Sequence, residues 1–258
     1  TGAPYGLVDI VPAETPADRL RRYRSLLFLG WNTMDADQYA RLTEYVKRGG
    51  RLIMWASHLN ASADRRDVDG RHRFYCNGDF GDLFGVRVRM PMKTGRGRTW
   101  RPVRTYVNTI KWIKAGTCRF PAGKVTYNNW PHGGVESELG TDVRVVAVTD
   151  QGYPFVTERR LGSGHAILVH CYSPQGQGNY REFAEDIFHA VGRSELSPFR
   201  VEESPGVSYA LYGKGKRQSL YMLNTSRESS AAATVVGLSK WPRTIRLAPA
   251  QLERIVWR

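Results

Sequence analysis

The chain has 258 residues, 41% of them apolar, and a formal net charge of +14. This apolar content, together with seven Trp, supports a packed core and excludes a wholly disordered chain. No apolar run approaches the roughly 20 residues that a membrane span needs, so we expect no membrane insertion.

The first clear pattern along the chain is a strand–helix–strand unit. Leu26–Leu29 is a short apolar run, typical of a strand buried on both faces. Asp35 is placed to cap a helix, with Gln38 in the second position of a capping box, and Gly49 ends the helix. Arg51–Trp55 then returns as a strand, so the unit predicts a parallel pair joined by a helical crossover. Two shorter elements are predicted before this unit, a strand at Leu7–Val11 and a helix at Ala17–Tyr23.

From about residue 60 to residue 130 the sequence is rich in Gly, Arg and aromatic residues and has no helical pattern. A stretch of this length is predicted to be an elaborated insertion rather than a loop. The α/β pattern then resumes and ends with a helix capped by Asn179 and terminated at Gly192. Strands within and after the insertion are predicted at Val86–Met90, Val103–Ile110, Val143–Thr149, Phe155–Arg160 and His165–His170. The last two are predicted to form a hairpin around the turn at residues 161–164.

Beyond Ser197 and Pro198 the apolar residues recur with a period of two. No helix is predicted there to cover a sheet, so these strands are expected to form a small antiparallel β-sandwich. Its strands are predicted at Val207–Tyr212, Ser219–Asn224, Ala232–Val236, Arg243–Leu247 and Leu252–Trp257.

Several of these features, taken in order, resemble one known arrangement. They are LLFLGWNTM, YVKRGGRLIM, the DLFGV junction, and PFVTERRLGSGHAILVH before an amphipathic helix and an all-β tail. The chain resembles the glutamine-amidotransferase-like domain and C-terminal β-sandwich that follow the TIM barrel in β-galactosidase-like glycoside hydrolases. The resemblance implies a flavodoxin or class I amidotransferase-like parallel sheet at residues 1–195, with an insertion at about 60–130, and a sandwich at residues 199–258.

In that family the catalytic carboxylates lie on the barrel, and the amidotransferase-like domain mediates trimerisation. Eight βα units need about 250 residues, so this chain has no room for a barrel. The resemblance therefore implies a non-catalytic accessory region of a glycoside hydrolase, at the rim of an active site, with an upstream barrel and a trimeric assembly. It also places a central strand before Thr1, so we expect upstream residues to belong to the same domain. Two alternatives stay open: a free-standing glycan-binding module for an anionic polysaccharide, and a structural oligomerisation protein.

The positions where an amidotransferase carries its catalytic residues lack them here. Arg51–Trp55 is followed by Ser57 and His58 rather than by a Cys flanked by glycines. His170 ends a later strand, but Cys171 follows it and no Glu stands two residues on. We therefore predict no catalytic residue in this chain. Three acidic residues just before the predicted strand Val143–Thr149 are interpreted as surface charge: Glu136, Glu138 and Asp142.

The six His and three Cys show no metal-site spacing, so neither a metal nor another cofactor is expected. The three Cys are also too few and too widely spaced for a disulfide framework. Unpaired thiols favour a reducing, cytoplasmic location, with secretion left open.

The positive charge is concentrated in two regions. Residues 62–104 carry eleven basic and five acidic side chains, a net +6, and residues 199–258 carry ten and four, also +6. A local excess of Arg favours a partner with carboxylate, sulfate or phosphate groups. A general basic coating of the surface explains the same charge as well.

The predicted carbohydrate contacts lie in and just after the first basic region. Aromatic rings stack on sugar faces, amides bond hydroxyls, and Arg binds anionic groups in pairs of hydrogen bonds. The competing explanation for these aromatics is that they fill the core of their own domain. Nucleic acid binding uses similar residues, but no nucleic-acid-binding motif accompanies them. The candidate contacts are Arg98, Trp100, Arg101, Tyr127, Asn129, Trp130 and His132.

Overall fold

The chain folds as two units. In the computed structural model, Pro12–Val191 form the larger unit, and Gly192–Arg258 belong to the smaller one. The structure describes residues 9–28, 33–61, 74–88, 106–107, 109–113, 116–118, 120–127, 132–133, 135–171, 181–195, 200–201, 206–214, 217–236 and 243–257.

The described part of the larger unit is mostly strand. Its helices are α1 (Ala17–Leu20), α2 (Ala36–Lys47) and α3 (Arg181–Glu195), with 3₁₀ turns at Ala56–Leu59 and Tyr75–Gly78. Its strands are β1 (Ser25–Leu27), β2 (Arg51–Trp55), β3 (Asp79–Phe80), β4 (Val86–Val88), β5 (Tyr106–Val107), β6 (Thr109–Trp112), β7 (Gly123–Thr126), β8 (His132–Gly133), β9 (Ser137–Leu139), β10 (Val143–Thr149), β11 (Pro154–Leu161) and β12 (Gly164–Val169).

Seven of these strands form a mixed sheet in the order β1-β2-β12-β11-β10-β6-β7. The β1–β2 and β2–β12 pairs are parallel, and the other four neighbouring pairs are antiparallel. The predicted parallel sheet is therefore only partly right. The prediction holds where α2 crosses over between β1 and β2. It fails between β10 and β11, which a short turn joins, because a hairpin reverses the chain direction. The predicted hairpin of β11 and β12 is confirmed.

The central strands of this sheet are buried on both faces, as a continuous apolar run predicts. On one face, Ile53 and Trp55 of β2 belong to a single apolar cluster with Phe183 and Ile187 of α3. Side chains alternate along a strand, so Leu52 and Met54 point to the opposite face. Both are fully buried, and α2 contacts β2 and β12.

The two ends of α2 are held by different parts of the chain. At its start, Asp35 Oδ1 accepts a hydrogen bond from the Gln38 N–H at 2.7 Å, which confirms the predicted cap. At its end, the turn between β11 and β12 supplies the partner, because the Ser163 N–H donates to the Lys47 carbonyl at 3.0 Å. A Cβ on Gly164 in that turn would overlap backbone carbonyl oxygens at the end of α2 and just beyond it, so the turn and the helix end fit only with glycine there.

Some predicted boundaries differ from the structure. Residues 9–11 of the predicted first strand are not in a strand, and α1 ends at Leu20 because the next two turns tighten to i→i+3 hydrogen bonds. Helix α3 continues through Gly192, where an interior glycine costs only about 1 kcal/mol relative to Ala. Asn179, the predicted cap of α3, lies outside the described residues. The predicted insertion contributes β6 and β7 to the main sheet, so this part of it is integral to the fold.

The smaller unit consists of two three-stranded antiparallel sheets, in the orders β13-β16-β17 and β14-β15-β18. Inward-facing residues of both sheets form one buried cluster, which includes Val207, Leu220, Met222, Val235 and Leu247. The small antiparallel sheets that the alternation predicts are therefore confirmed. Their strands are β13 (Arg200–Val201), β14 (Val207–Lys214), β15 (Arg217–Asn224), β16 (Ala231–Val236), β17 (Arg243–Leu247) and β18 (Leu252–Trp257).

A buried asparagine closes one end of this unit. Asn224 is fully buried, and its amide Nδ2 donates to the carbonyls of Ser229, Leu247 and Ala248 at 2.8, 3.3 and 3.0 Å. Its Oδ1 accepts from the Ser226 N–H at 3.0 Å. One side chain therefore joins the end of β15 to the turns after β15 and after β17.

Candidate functional site

The carboxyl ends of β2 and β12 are the first place to look for chemistry, because ligands of open α/β sheets bind at such strand ends. The two strands are neighbours, and Trp55 is in register with Val169. Ser57 follows β2 on a 3₁₀ turn, and its N–H donates to the Cys171 carbonyl after β12 at 3.4 Å. The residues that the sequence compares with an amidotransferase nucleophile and base therefore come close together.

The imidazole of His170 is held as a structural group. It is fully buried, with Nδ1 at 2.7 Å from Ser137 Oγ and Nε2 at 2.8 Å from Thr157 Oγ1. Burial lowers the pKa of His170 to about 3, so the ring is neutral at physiological pH. A neutral imidazole has one donor and one acceptor nitrogen, and hydroxyl groups engage both. His170 has no free nitrogen with which to activate a nucleophile.

The turn after β2 offers no activated nucleophile either. Ser57 is 1% exposed, and its Oγ has no hydrogen-bond partner within the described residues. His58 is fully buried, and its Nδ1 accepts from the Trp55 N–H at 3.3 Å. Its ring lies edge-on to Phe28 and Trp55, with centroids at 5.8 and 6.1 Å. A nucleophilic serine needs a base that is in turn oriented by a third group, and within the described residues no hydrogen bond joins Ser57 Oγ to a base.

A second cluster surrounds the buried carboxylate of Glu158 on β11. The carboxylate accepts hydrogen bonds from the Thr117 N–H at 3.2 and 3.1 Å, from the Thr117 hydroxyl and from the guanidinium of Arg144. Burial alone raises the pKa of Glu158, but the Thr117 and Arg144 donors outweigh it and hold the pKa below its usual value. A carboxylate that stays ionised stabilises the sheet and does not act as a general acid.

His165 lies beside this carboxylate without completing a catalytic pair. Its Nδ1 is 3.1 Å from Glu158 Oε1, but the orientation is not that of a hydrogen bond. Burial is the main cause that lowers the pKa of His165. The negative charge of Glu158 raises this pKa, and the positive charges of Arg51, Arg160 and Arg144 lower it further, so that the net shift is downward. The ring is therefore mostly neutral at pH 7, and the cluster is a structural ion pair with a neutral neighbour.

Most of the predicted carbohydrate contacts lie outside the part of the chain that the structure describes. Arg98, Trp100, Arg101, Asn129 and Trp130 lie outside the described residues. His132 lies in β8, where it pairs with Val107 of β5.

Tyr127 is described, and it belongs to the core. It is 4% exposed, and its hydroxyl donates to Asp186 Oδ2 on α3 at 2.7 Å. Its ring lies edge-on to Phe183 with centroids 5.4 Å apart, and burial raises its pKa far above the usual value. The interpretation of Tyr127 as a sugar-stacking residue is therefore wrong, because its ring already packs on α3.

The acidic residues after β8 take structural places. Asp142 Oδ2 accepts from Arg159 Nε at 2.7 Å, and the same guanidinium donates to the carbonyls of Gly81 and Asp82 at 2.6 and 2.9 Å. Glu138 lies in β9 opposite Arg87. The surface-charge interpretation of these residues agrees with the described contacts.

Within the ranges that the structure describes, no cluster of three or more His, Cys, Asp or Glu side chains is arranged to hold a metal ion. No helix in those ranges combines the length and the apolar character that a bilayer crossing requires.

The fold is shared with parts of larger enzymes. No protein-family model and no curated protein matches the chain. A β-galactosidase from Bacillus circulans sp. alkalophilus matches with a TM-score of 0.55 and 13% identity, over 95% of this chain and 34% of that enzyme. A cold-adapted β-galactosidase from a Rahnella species matches with a TM-score of 0.55 and 17% identity, over 98% and 34%. The GH42 β-galactosidase Gan42B matches with a TM-score of 0.53 and 19% identity, over 93% and 32%. The chain therefore spans about a third of the length of these enzymes, and at such identities the likeness shows the fold alone.

Proposed function

We propose that this chain is a non-catalytic accessory region of a glycoside hydrolase that acts on a polysaccharide or oligosaccharide. The observation that carries the proposal is that nearly the whole chain matches one third of each of several β-galactosidases. In finer detail, Pro12–Val191 correspond to an amidotransferase-like domain, and the strands beyond Gly192 to the sandwich that follows it.

The contacts at the two candidate clusters support a role without catalysis. His170 is neutral with both nitrogens engaged, Ser57 has no base within the described residues, and Glu158 is held ionised by its donors. A retaining glycosidase needs one carboxyl that donates a proton and one that attacks, about 5–5.5 Å apart. The catalytic carboxylates therefore belong, in this proposal, to an attached or neighbouring barrel domain.

The proposal is tested first by hydrolysis. The purified chain, assayed with nitrophenyl glycosides, is expected to give no turnover above a heat-denatured control. The same assay on the full product of the gene is expected to give turnover that depends on carboxylates outside residues 1–258. Turnover by the chain alone that is lost in Glu158→Gln, with the fold retained, would contradict a non-catalytic role.

The carbohydrate contacts of this accessory region are its basic, aromatic segments, with Trp130 and the pair Arg98 and Arg101 as the residues to change. A glycan array is expected to bind the wild-type chain and to lose signal in Trp130→Ala and in Arg98→Ala/Arg101→Ala. The matched control is Arg243→Ala/Arg246→Ala, which removes two exposed charges elsewhere. Binding should weaken with ionic strength, because exposed charges are screened. Binding of single-stranded DNA at micromolar concentration with failure of every glycan would overturn this assignment.

Self-association is part of the same proposal, with a trimer formed through the α/β unit. Multi-angle light scattering at micromolar concentration is expected to give three times the chain mass. A strict monomer over a hundredfold range of concentration would remove the oligomerisation role for this chain.

A further inference from the structure

The outer face of the sheet β14-β15-β18 carries large apolar side chains, although a solvent-exposed face normally carries polar ones. Its outward residues form three rows across the strands: Ser208–Leu223–Leu252, Ala210–Tyr221–Arg254 and Tyr212–Ser219–Val256. Four of them are exposed large apolar side chains: Tyr212 at 57%, Leu223 at 38%, Leu252 at 60% and Val256 at 55%. We call these three rows the outer face of the C-terminal sheet.

The other sheet of the same unit shows that the fold does not require this composition. Its outward residues include Thr234, Thr244 and Arg246, and the two threonine hydroxyls are 3.2 Å apart. A half-solvated antiparallel sheet normally has this polar outer face. Contiguous apolar groups on an exposed surface mark a place where something binds.

A fixed positive charge lies in the middle row of the outer face. The guanidinium of Arg254 is 5.6 Å from the centroid of the Tyr221 ring and donates to Ser219 Oγ at 3.2 and 3.4 Å. Within the described residues no carboxylate pairs with it, so its charge is left for an external anion. The Tyr221 ring is also fixed from the other side, because Tyr212 meets it edge-on at 5.4 Å. Arg prefers carboxylate, sulfate and phosphate groups, which it binds in pairs of hydrogen bonds.

The size of the face indicates a small ligand rather than a stable protein interface. A groove of about 600 Å³ lies along it, lined by residues that include Tyr212, Tyr221, Leu223 and Leu252. Small-molecule sites span about 300–1,000 Å³ and combine apolar and aromatic walls with a few polar groups. A standard protein interface uses about 20–30 residues a side, far more than three rows of three.

We propose that the outer face of the C-terminal sheet binds an acidic sugar unit, with the C–H face of the ring on Tyr212 and the carboxylate at Arg254. The choice of a sugar rests on the proposed function. The site itself does not, because none of its residues belongs to the candidate contacts between Arg98 and His132. The net +6 of residues 199–258 adds a general attraction for an anion.

Calorimetric titration of the full chain with tri-galacturonate tests the proposal, with neutral galactotriose as the matched ligand. Tri-galacturonate is expected to bind saturably and galactotriose about tenfold more weakly, because a hydrogen bond to a charged group is lost. Arg254→Gln should weaken tri-galacturonate binding by a similar factor and leave galactotriose unchanged. Tyr212→Ala, at an exposed position, should weaken both ligands. Arg246→Gln, on the polar outer face of the other sheet, is the control and should change neither.

Three results would overturn the proposal. One is the absence of saturable binding by either sugar. Another is unchanged tri-galacturonate binding in both Arg254→Gln and Tyr212→Ala. The last is an apolar acidic peptide that binds the face tightly and is lost in Arg254→Gln while both sugars fail. If sugar binding depends on Trp130 and not on Arg254, this inference fails while the proposed function stands. If it depends on Arg254 and not on Trp130, the inference stands and the assignment of the Trp130 segment fails.

Discussion

Replacing Glu158 by Gln is expected to destabilise the larger unit by about 2 kcal/mol at pH 7. The carboxylate is 2% exposed in its side chain and accepts from the Thr117 backbone, the Thr117 hydroxyl and Arg144. A hydrogen bond to a charged group contributes about 1.5–3 kcal/mol, and Gln keeps part of this set. The Arg144 side chain is 42% exposed, so solvent screens the lost charge pair, and the cost stays below the 3–5 kcal/mol of a fully buried pair.

The pH dependence of stability checks the same reasoning independently. The pKa of Glu158 is lowered in the folded chain, whereas an unfolded Glu titrates near about 4.3. Its contribution is therefore fully present above the unfolded value and is lost as the pH falls through 4.3 toward the folded value. Glu158→Gln should remove this part of the acid sensitivity. Thermal unfolding at pH 7 should show a fall of about 4–8 °C, from about 2–4 °C per kcal/mol for a unit of this size.

The matched control is Asp150→Asn, at an exposed position on the turn after β10. It should leave both the melting temperature and its pH dependence close to wild type. A Glu158→Gln variant that melts with wild-type stability at pH 7 and retains the wild-type acid sensitivity would refute this prediction. That result would mean that the cost of burying the charge cancels the contribution of its three donors.

Three further predictions concern packing and protonation. Gly164→Ala should lower the melting temperature of the larger unit by the equivalent of about 1–3 kcal/mol, because a Cβ there meets backbone oxygens; Gly152→Ala, with φ +85° but open space around it, isolates the cost of backbone strain alone. The His170 ring should show no titration by NMR between pH 8 and pH 5, since its pKa is about 3. Below pH 6.5 the chain should lose about 1.4 kcal/mol of stability per pH unit, because the ring is protonated only in the unfolded chain. A normal titration near 6.5 would contradict its burial. Asn224→Ala should destabilise the smaller unit by about 2–4 kcal/mol, measured by hydrogen exchange in β15, because three carbonyls lose their donor; Asn224→Ala exchange rates equal to those of wild type would refute it.

The elements that the sequence predicts well are those fixed by local rules. The cap of α2 at Asp35 and the strand Val143–Thr149 follow from side-chain chemistry and from β-branched residues within a few positions. The order of the seven strands does not follow in this way, because pairing is decided by contacts between distant segments. For that reason the predicted parallel sheet is right only for the β1–β2 and β2–β12 pairs.

The type of a residue alone does not distinguish a binding residue from a core residue. Tyr127 has the composition of a sugar contact, yet its hydroxyl is used by Asp186 and its ring by Phe183. The outer face of the C-terminal sheet was not found from the sequence, although a signal was there. In the segment SYALY, apolar residues occupy both sets of alternating positions, with Tyr209 facing the core and Tyr212 facing out. A strand that is apolar on both faces is either covered on its second face or carries a binding surface there.

The position of β12 in the sheet has a consequence for how the chain folds during synthesis. β12 lies between β2 and β11, and Arg51 pairs with His165, more than a hundred residues later. During synthesis β2 can pair with β1 alone until residues 164–169 have left the ribosome, so one edge of a strand with four buried apolar residues stays open. The carbonyl of Lys47 in the final turn of α2 also lacks its hydrogen-bond donor until then, because that donor is the N–H of Ser163. A chain cut before Gly164 should therefore aggregate rather than form a smaller stable domain, and the intact chain should fold slowly, as contacts of such long range demand.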